Sequence, residues 1–240
     1  MGKHLVIGVN GQAQSGKDTL CSMLSYLWDD LGSFDFWFKQ LKNNEFNIKR
    51  LYNNMHPLWS KTYYFAEPVK QQIAIFLGIE DITIFEDEDF KNSDTIYQKP
   101  FHEGCYTVRE FMNFYGTNLC RHNINQNVWV DVLKNKLNSN IQNYKTPDKD
   151  ICLHFITDVR FSNEYEMLKH FDTQFIVINN DNHSVVNHES AEYTVTNPNY
   201  YIDNTFDPLL HKNKNSVLFK DALNKLWDEA VIIEKSLLME

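Results

Sequence analysis

A chain of 240 residues, 42% hydrophobic and 23% charged, has room for one α/β domain with insertions or a small lid, and the composition of a soluble protein with a sizeable core. Its formal charge of −9 excludes a broad basic surface for duplex DNA or an anionic membrane, so an anionic ligand must be held by a few focused cations. Arginine is scarce: Arg50, Arg109, Arg121 and Arg160 are the only four, and each one inside a motif carries weight accordingly.

Leu5-Val6-Ile7-Gly8-Val9 is short, β-branched and apolar, the pattern of a strand buried in a parallel sheet. Directly after it, Gly11-Gln12-Ala13-Gln14-Ser15-Gly16-Lys17-Asp18-Thr19 fits the phosphate-binding pattern Gly-x-x-x-x-Gly-Lys that opens a helix. Glycines let backbone N–H groups close on a phosphate, the helix dipole adds positive potential there, and Lys17 is a mobile charge for β- and γ-phosphates. Leu20, Leu24, Leu27, Trp28 and Leu31 follow at helical spacing, so strand, loop, lysine and helix together mark a nucleotide phosphate site. Asp18 departs from the usual Ser or Thr, and the Mg²⁺-coordinating hydroxyl comes one residue later, at Thr19. A carboxylate beside a triphosphate is unfavourable unless it faces a metal ion, its waters or a cation, so Asp18 reads as functional; an acid in a first helical turn also suits the dipole.

Residues 32–59 are polar and aromatic with no clear period, an excursion off the sheet that is partly helical. Tyr63-Tyr64-Phe65-Ala66 is a short strand candidate, and Pro68 opens a helix with Val69, Ile73, Ala74 and Leu77 on one face and Gly78 at its end. Lys70, one turn in, either approaches a substrate phosphate or is a solvated helix lysine. The run Glu86-Asp87-Glu88-Asp89 reads as a solvated charge cluster. Thr107 caps a helix with a Phe111, Met112, Tyr115 stripe, and a second helix spans Val128, Trp129, Val132, Leu133 and Leu137. Between them Arg109 and Arg121 flank a Gly116-Thr117 kink; two guanidinium forks converging on one phosphate and two surface ion pairs suit that spacing equally. Residues 138–150 read as a linker.

Ile151-Cys152-Leu153-His154-Phe155-Ile156-Thr157 is a second buried strand that ends in Asp158-Val159-Arg160. Sites in open α/β sheets form at the carboxyl ends of strands, which puts Asp158 beside the loop as a holder of Mg²⁺ or its waters, and Arg160 where it can stabilise a transferring phosphoryl group. A helix with Phe161, Tyr165 and Leu168 follows, with Glu164 in its first turn, and then the strand Phe175-Ile176-Val177-Ile178. Residues 179–198 hold His183 and His188 at a spacing that fits no tetrahedral zinc set, and read as a lid or base-contacting loop. Tyr201-Ile202-Asp203-Asn204 is a last strand, and Val217, Leu218, Ala222, Leu226, Ala230 and Ile233 mark a closing amphipathic helix.

The alternation predicts an α/β fold, a mostly parallel sheet with helices on both faces. We expect a single domain over 1–240, with helical substrate-binding insertions at 32–62 and 78–148 and a short lid-like loop at 179–198. Cys21, Cys105, Cys120 and Cys152 show no Cys-x-x-Cys spacing and no histidine at metal-site distance along the chain, which makes them reduced packing residues. No signal-peptide pattern opens the chain, because Gly11 and Gln12 interrupt the first apolar run, and no segment has the length to cross a bilayer. A cytoplasmic location is the expectation, host cytoplasm if the chain is viral.

Taken together, the loop with its Gly-Lys-Asp, Phe65-Ala66-Glu67-Pro68-Val69-Lys70, Arg109 with Gly116-Thr117-Asn118 and Arg121, Trp129, Thr157-Asp158-Val159-Arg160-Phe161-Ser162-Asn163-Glu164 and His188-Glu189-Ser190-Ala191-Glu192 resemble the bacteriophage deoxynucleoside monophosphate kinases of the P-loop kinase superfamily. The resemblance covers most of the chain in the right order, and the Asp-x-Arg-Phe-x-Asn-Glu segment is its most specific part. It implies a P-loop, nucleoside-monophosphate-kinase-like fold and transfer of the ATP γ-phosphoryl group to a deoxynucleoside monophosphate with Mg²⁺. On it, Gly11, Ala13, Gln14, Ser15, Gly16, Lys17, Asp18 and Thr19 bind ATP, with Thr19, Asp18 and Asp158 around the metal. Lys17, Asp18, Asp158 and Arg160 are catalytic, Lys70, Arg109, Arg121, Trp129, Ser190 and Glu192 bind the acceptor, and Glu164 orients Arg160 or contacts the acceptor. The partners implied are small nucleotides and neither a nucleic acid polymer nor a membrane; a homodimer is compatible with the chain. Many P-loop kinases carry lid arginines after the third buried strand, and 179–198 has none, which shifts that load to Arg160. Rival readings are an animal-type phosphomevalonate kinase, which shares Gly-Lys-Asp, a GTPase switch, whose Asn-Lys-x-Asp is missed by Asn135-Lys136-Leu137-Asn138, and a nucleotide-binding regulator without turnover.

Overall fold

The computed structural model describes residues 3–12, 15–44, 47–48, 51, 59–100, 103–143, 151–179, 193–204, 214 and 216–239. The chain divides into two compact units, Met1–Tyr63 with Ile141–Glu240, and Tyr64–Asn140.

The first unit is built on strands β1 (Lys3–Gly11), β2 (Ser60–Tyr63), β5 (Ile151–Val159), β6 (Gln174–Asn179) and β7 (Tyr200–Asp203). They form one parallel sheet in the order β2-β5-β1-β6-β7. β1 and β5 are buried along most of their length, and their many apolar residues suit strands covered on both faces. Leu5, Ile7, Val9, Leu153 and Phe155 pack on the side of helices α1 (Lys17–Trp28), α2 (Phe34–Asn43) and α8 (Val217–Leu237). On the other side, Gly8 lies under Leu168 of α7 (Ser162–Lys169), where a Cβ would stand 3.4 Å from the leucine methyl.

Local details differ from the expected pattern. α2 does have a period: Phe34, Trp37, Phe38 and Leu41 face inward, and exposed Phe36 obscures it. α8 buries Phe219, Leu223, Leu226, Trp227, Ala230, Ile233 and Leu237, while Val217 and Leu218 are exposed, so its core face is rotated from the expected one. β2 lies earlier than the 63–66 candidate because it is pinned to β5 from Ser60↔Leu153 to Tyr63↔Ile156.

The second unit comprises α3 (Glu67–Leu77), a 3-10 turn (Ile82–Glu86), α4 (Glu88–Asn92), the antiparallel hairpin β3 (Asp94–Gln98) and β4 (Cys105–Thr107), α5 (Val108–Asn113) and α6 (Val128–Asn143). α3 has Pro68 in its first turn and ends at Gly78, whose φ of 65° is a left-handed C-cap. Thr107 and Glu110 form a reciprocal capping box at the start of α5. Where a Gly116-Thr117 kink was expected, α5 runs on into a π-helical stretch, Phe114–His122; Gly116 there lets it approach Val69 so closely that a Cβ would meet the valine methyls at 3.3 Å. The 138–150 linker begins late, since α6 continues to Asn143. Val69, Ile73, Ala74, Phe85, Val108, Cys120 and Trp129 give this unit its own core.

Candidate active site

The strand order reverses about β1, between β5 and β6, and the loop after β1 therefore opens at the switch point of the sheet. Two glycines shape it. At Gly11 a Cβ would lie 2.4 Å from the Ile178 carbonyl oxygen of β6 and 2.7 Å from Ser15 Oγ. Gly16, the residue before α1, has φ 99°, and a Cβ there would lie 2.8 Å from Asn204 Nδ2. That amide donates to the Ser15 carbonyl (2.8 Å), and the Asn204 backbone N–H bonds the Asn179 carbonyl (2.8 Å), so the end of β7 clamps the loop.

Inside the loop, Ser15 is fully buried and its Oγ has no hydrogen-bond partner among the described residues. Lys17, 7% exposed, donates from Nζ to the carbonyls of Gly11 (2.9 Å) and Gln12 (2.5 Å). Burial, aided by the Arg160 guanidinium, lowers its pKa to about 8 against the opposing pull of Asp18 and Asp158. A desolvated ammonium beside a second cation, held by neutral carbonyls and next to an orphaned hydroxyl, gains more from a bound anion than from its present partners.

β5 delivers the other groups. Asn10 is in register with Val159, donates to the Val159 carbonyl (2.8 Å) and the Tyr193 carbonyl (3.1 Å), and accepts from the Val195 N–H (3.3 Å). Thr157 Oγ1 donates to Asp18 Oδ1 at 2.9 Å, which ties the first turn of α1 to the end of β5. Asp158 is buried and Arg160 is exposed. Glu164, 1% exposed, accepts from the backbone N–H groups of Arg160 (2.7 Å) and Phe161 (3.2 Å), so its carboxylate fixes the turn from which Arg160 projects. Asp18, Thr19 and Asp158 offer the hard oxygen donors that Mg²⁺ takes. Asn10, Thr157 and Asn204 are not among the residues that motif and spacing single out; a polar residue closing a buried strand, as Asn10 and Thr157 do, was the available signal.

In the second unit, Lys70 pairs with Glu86 (2.5 Å), and Arg109, half-exposed, pairs with Glu88 (2.5 Å) and reaches Asn92 Oδ1 (3.4 Å). Arg121 is buried on the π-helical stretch. Trp129 is buried in the core, its indole N–H bonded to the Gly116 carbonyl (2.8 Å). The acidic run is structured: Asp87 caps α4, and Glu86 and Glu88 hold cations. Ala13, Gln14, Ser190, Glu192 and most of the lid-like loop lie outside the described residues.

The model of the deoxynucleotide monophosphate kinase family matches residues 58–205, a stretch that begins after the glycine loop and includes both Asp158 and Arg160. The deoxynucleoside-5'-monophosphate kinase of Escherichia phage T5 is 23% identical to this chain over 73% of its length and 77% of the relative's. A match across well over half of the chain, on a parallel sheet whose switch point carries the Gly-Lys-Asp loop, makes this protein a nucleotide kinase of the deoxynucleotide monophosphate kinase family.

Proposed function

We propose that the protein transfers the γ-phosphoryl group of ATP to the 5'-phosphate of deoxynucleoside monophosphates, giving ADP and the deoxynucleoside diphosphate. The observation that supports this most is the joining of the loop to the β5 tip. Asn10 pairs with Val159, Thr157 bonds Asp18, and Lys17 shares an electrostatic field with Asp158 and Arg160.

The residues fit ATP and Mg²⁺ on grounds of shape and donor type. A cradle that a Cβ at Gly11 or Gly16 would fill, and the orphaned Ser15 hydroxyl, suit phosphate oxygens. Asp18, Thr19 and Asp158 would hold Mg²⁺, which when bound neutralises charge on the phosphates. The loop, with Gly11 to Thr19, binds the triphosphate. Lys17 leaves the Gly11 and Gln12 carbonyls for the β- and γ-phosphates, where its ammonium is stabilised as a cation. Asp18 stays oriented by Thr157. Arg160, its backbone fixed by Glu164, places a guanidinium on the transferring group and compensates the charge that develops there. Arg109, Arg121 and Lys70 supply the acceptor side with Ser190 and Glu192, and Trp129 supports Gly116 from within the core.

Mixing the protein with ATP, Mg²⁺ and each deoxynucleoside monophosphate singly, alongside the ribose forms, tests the reading. ADP and a matching diphosphate should appear with at least one deoxynucleotide; ADP release no faster than without acceptor for all of them would falsify it.

A further inference from the structure

At the amino end of the sheet, the register of β1 and β5 sets His4 opposite Cys152, and His154 lies two residues further on the same face. The His4 Nδ1 and His154 Nε2 atoms are 2.9 Å apart. One ligand atom from each of His4, His154 and Cys152 falls within 4.8 Å of the others. Tyr63 of β2 bonds His154 Nδ1 at 3.0 Å. His154 and Cys152 are fully buried, and His4 is half-buried and reaches the surface.

We propose that His4, His154 and Cys152 form a binding site for a zinc-class divalent cation, separate from the nucleotide site. Two imidazoles and a thiolate are the soft and borderline donors that select zinc and its neighbours over Mg²⁺, and three protein ligands leave the fourth tetrahedral position for water. His154 is prepared for it: with the proton on Nδ1 and donated to the Tyr63 oxygen, Nε2 presents its lone pair towards His4. Burial holds the His154 imidazole neutral, its pKa lowered to about 4 with His4 and Lys61 adding to the effect. Burial also keeps the Cys152 thiol protonated, with a pKa pushed up to about 11. Metal binding therefore displaces two protons from the ligand atoms. The one on His4 Nδ1 is replaced by protonation of its outer nitrogen, and the Cys152 thiol proton leaves to solvent. The donor atoms then settle at roughly 3.3–3.6 Å from one another, as tetrahedral zinc distances require, so the His4–His154 contact opens by about half an ångström. His4 and Gly11 are seven residues apart on one strand, roughly 23 Å at strand rise, so the ion staples β1 to β5 at the end of the sheet away from the loop.

Cobalt(II) titration of the full chain tests the site. Thiolate-to-cobalt charge-transfer absorption in the near ultraviolet should appear at equimolar metal and be displaced by Zn²⁺, and Zn²⁺ should raise the Tm. His4→Gln, at a half-buried position, should abolish the charge-transfer band, as should Cys152→Ala. Tyr63→Phe should keep the band and weaken Zn²⁺ binding roughly 10–100-fold, the effect of losing an outer-shell partner. No band in the folded wild-type protein overturns the site, and so does a band that survives His4→Gln. Both deciding spectra come from the wild-type protein and the His4 variant, so they settle the matter even where Cys152→Ala fails to fold.

Discussion

At the carboxyl end of the large sheet Lys17 rests on two carbonyls, with Ser15 Oγ beside it lacking a partner among the described residues. In the unit spanning 64–140, Lys70, Lys99, Arg109 and Lys136 each hold a carboxylate, on Glu86, Glu110, Glu88 and Glu67. The first arrangement is desolvated and under-satisfied, so an anion is the partner it lacks. The second consists, apart from the part-buried Lys70–Glu86 pair, of pairs that share solvent, each worth about 0–1 kcal/mol, so those can exchange partners at little cost. Rate and tight phosphate binding should therefore depend on the loop and the β5 tip, and the second unit should tune the acceptor.

The largest expected effects fall on the first region. Lys17→Ala and Arg160→Ala should each lower kcat by roughly 10³-fold or more, the range for groups that stabilise phosphoryl transfer. Stopped assays with circular dichroism alongside measure this, and near-normal turnover in the Arg160 variant would remove it from the catalytic set. Asp18→Asn should lower kcat by about 10²-fold or more while the amide oxygen still accepts from Thr157, so the Tm should hold. A variant that simply unfolds would make the residue structural.

Next comes pH. Burial and Arg160 bring the Lys17 pKa down to about 8 in the ligand-free protein, so kcat/KM for ATP should fall about tenfold per pH unit above that value. The linkage has the matching sign. The unfolded chain keeps this proton to a higher pH than the folded one, so Lys17 makes stability rise with pH from about 8 to 10.5 and contributes no slope below. A flat kcat/KM profile from pH 7 to 9 would argue that Lys17 does not meet ATP as a free cation.

The smallest effect belongs to the second unit. Glu88→Gln removes the Arg109 counter-ion and should lower the acceptor KM by up to about fivefold with kcat unchanged, the worth of an exposed pair. An unchanged KM with a lower Tm would make the pair a structural contact and leave the comparison resting on the loop alone.

Much of this was legible in the chain because it is local. Leu5 to Val9, the loop and the helix behind it are one continuous stretch, and the Asp158-Val159-Arg160 tip follows a run too apolar to be anything but a buried strand. Pro68, Gly78 and the Thr107 cap punctuate the second unit in the same local way. The hairpin β3–β4 is not legible because Asp94–Gln98 has neither strong alternation nor a tight-turn dipeptide, and its pairing rests on cross-strand contact. The face of α8 differs from the expected one because Val217 and Leu218 are apolar yet sit at the exposed start of the helix, where burial is set by what lies opposite.

The sequence by itself determined the elements to which the chemistry is assigned in the proposed function: a glycine loop with Lys17 and Asp18, and a strand that ends in an acid and an arginine. Only the tertiary structure decided which groups meet. Parallel register brings Val159 to Asn10 and Thr157 to Asp18 across some 140 residues of chain, and at the other end of the same two strands it sets Cys152 and His154, two residues apart, against the distant His4, a pairing that the reading of the cysteines as packing residues passes over. Strand pairing is a relation between distant segments set by burial of both sheet faces, and no local window of residues contains it.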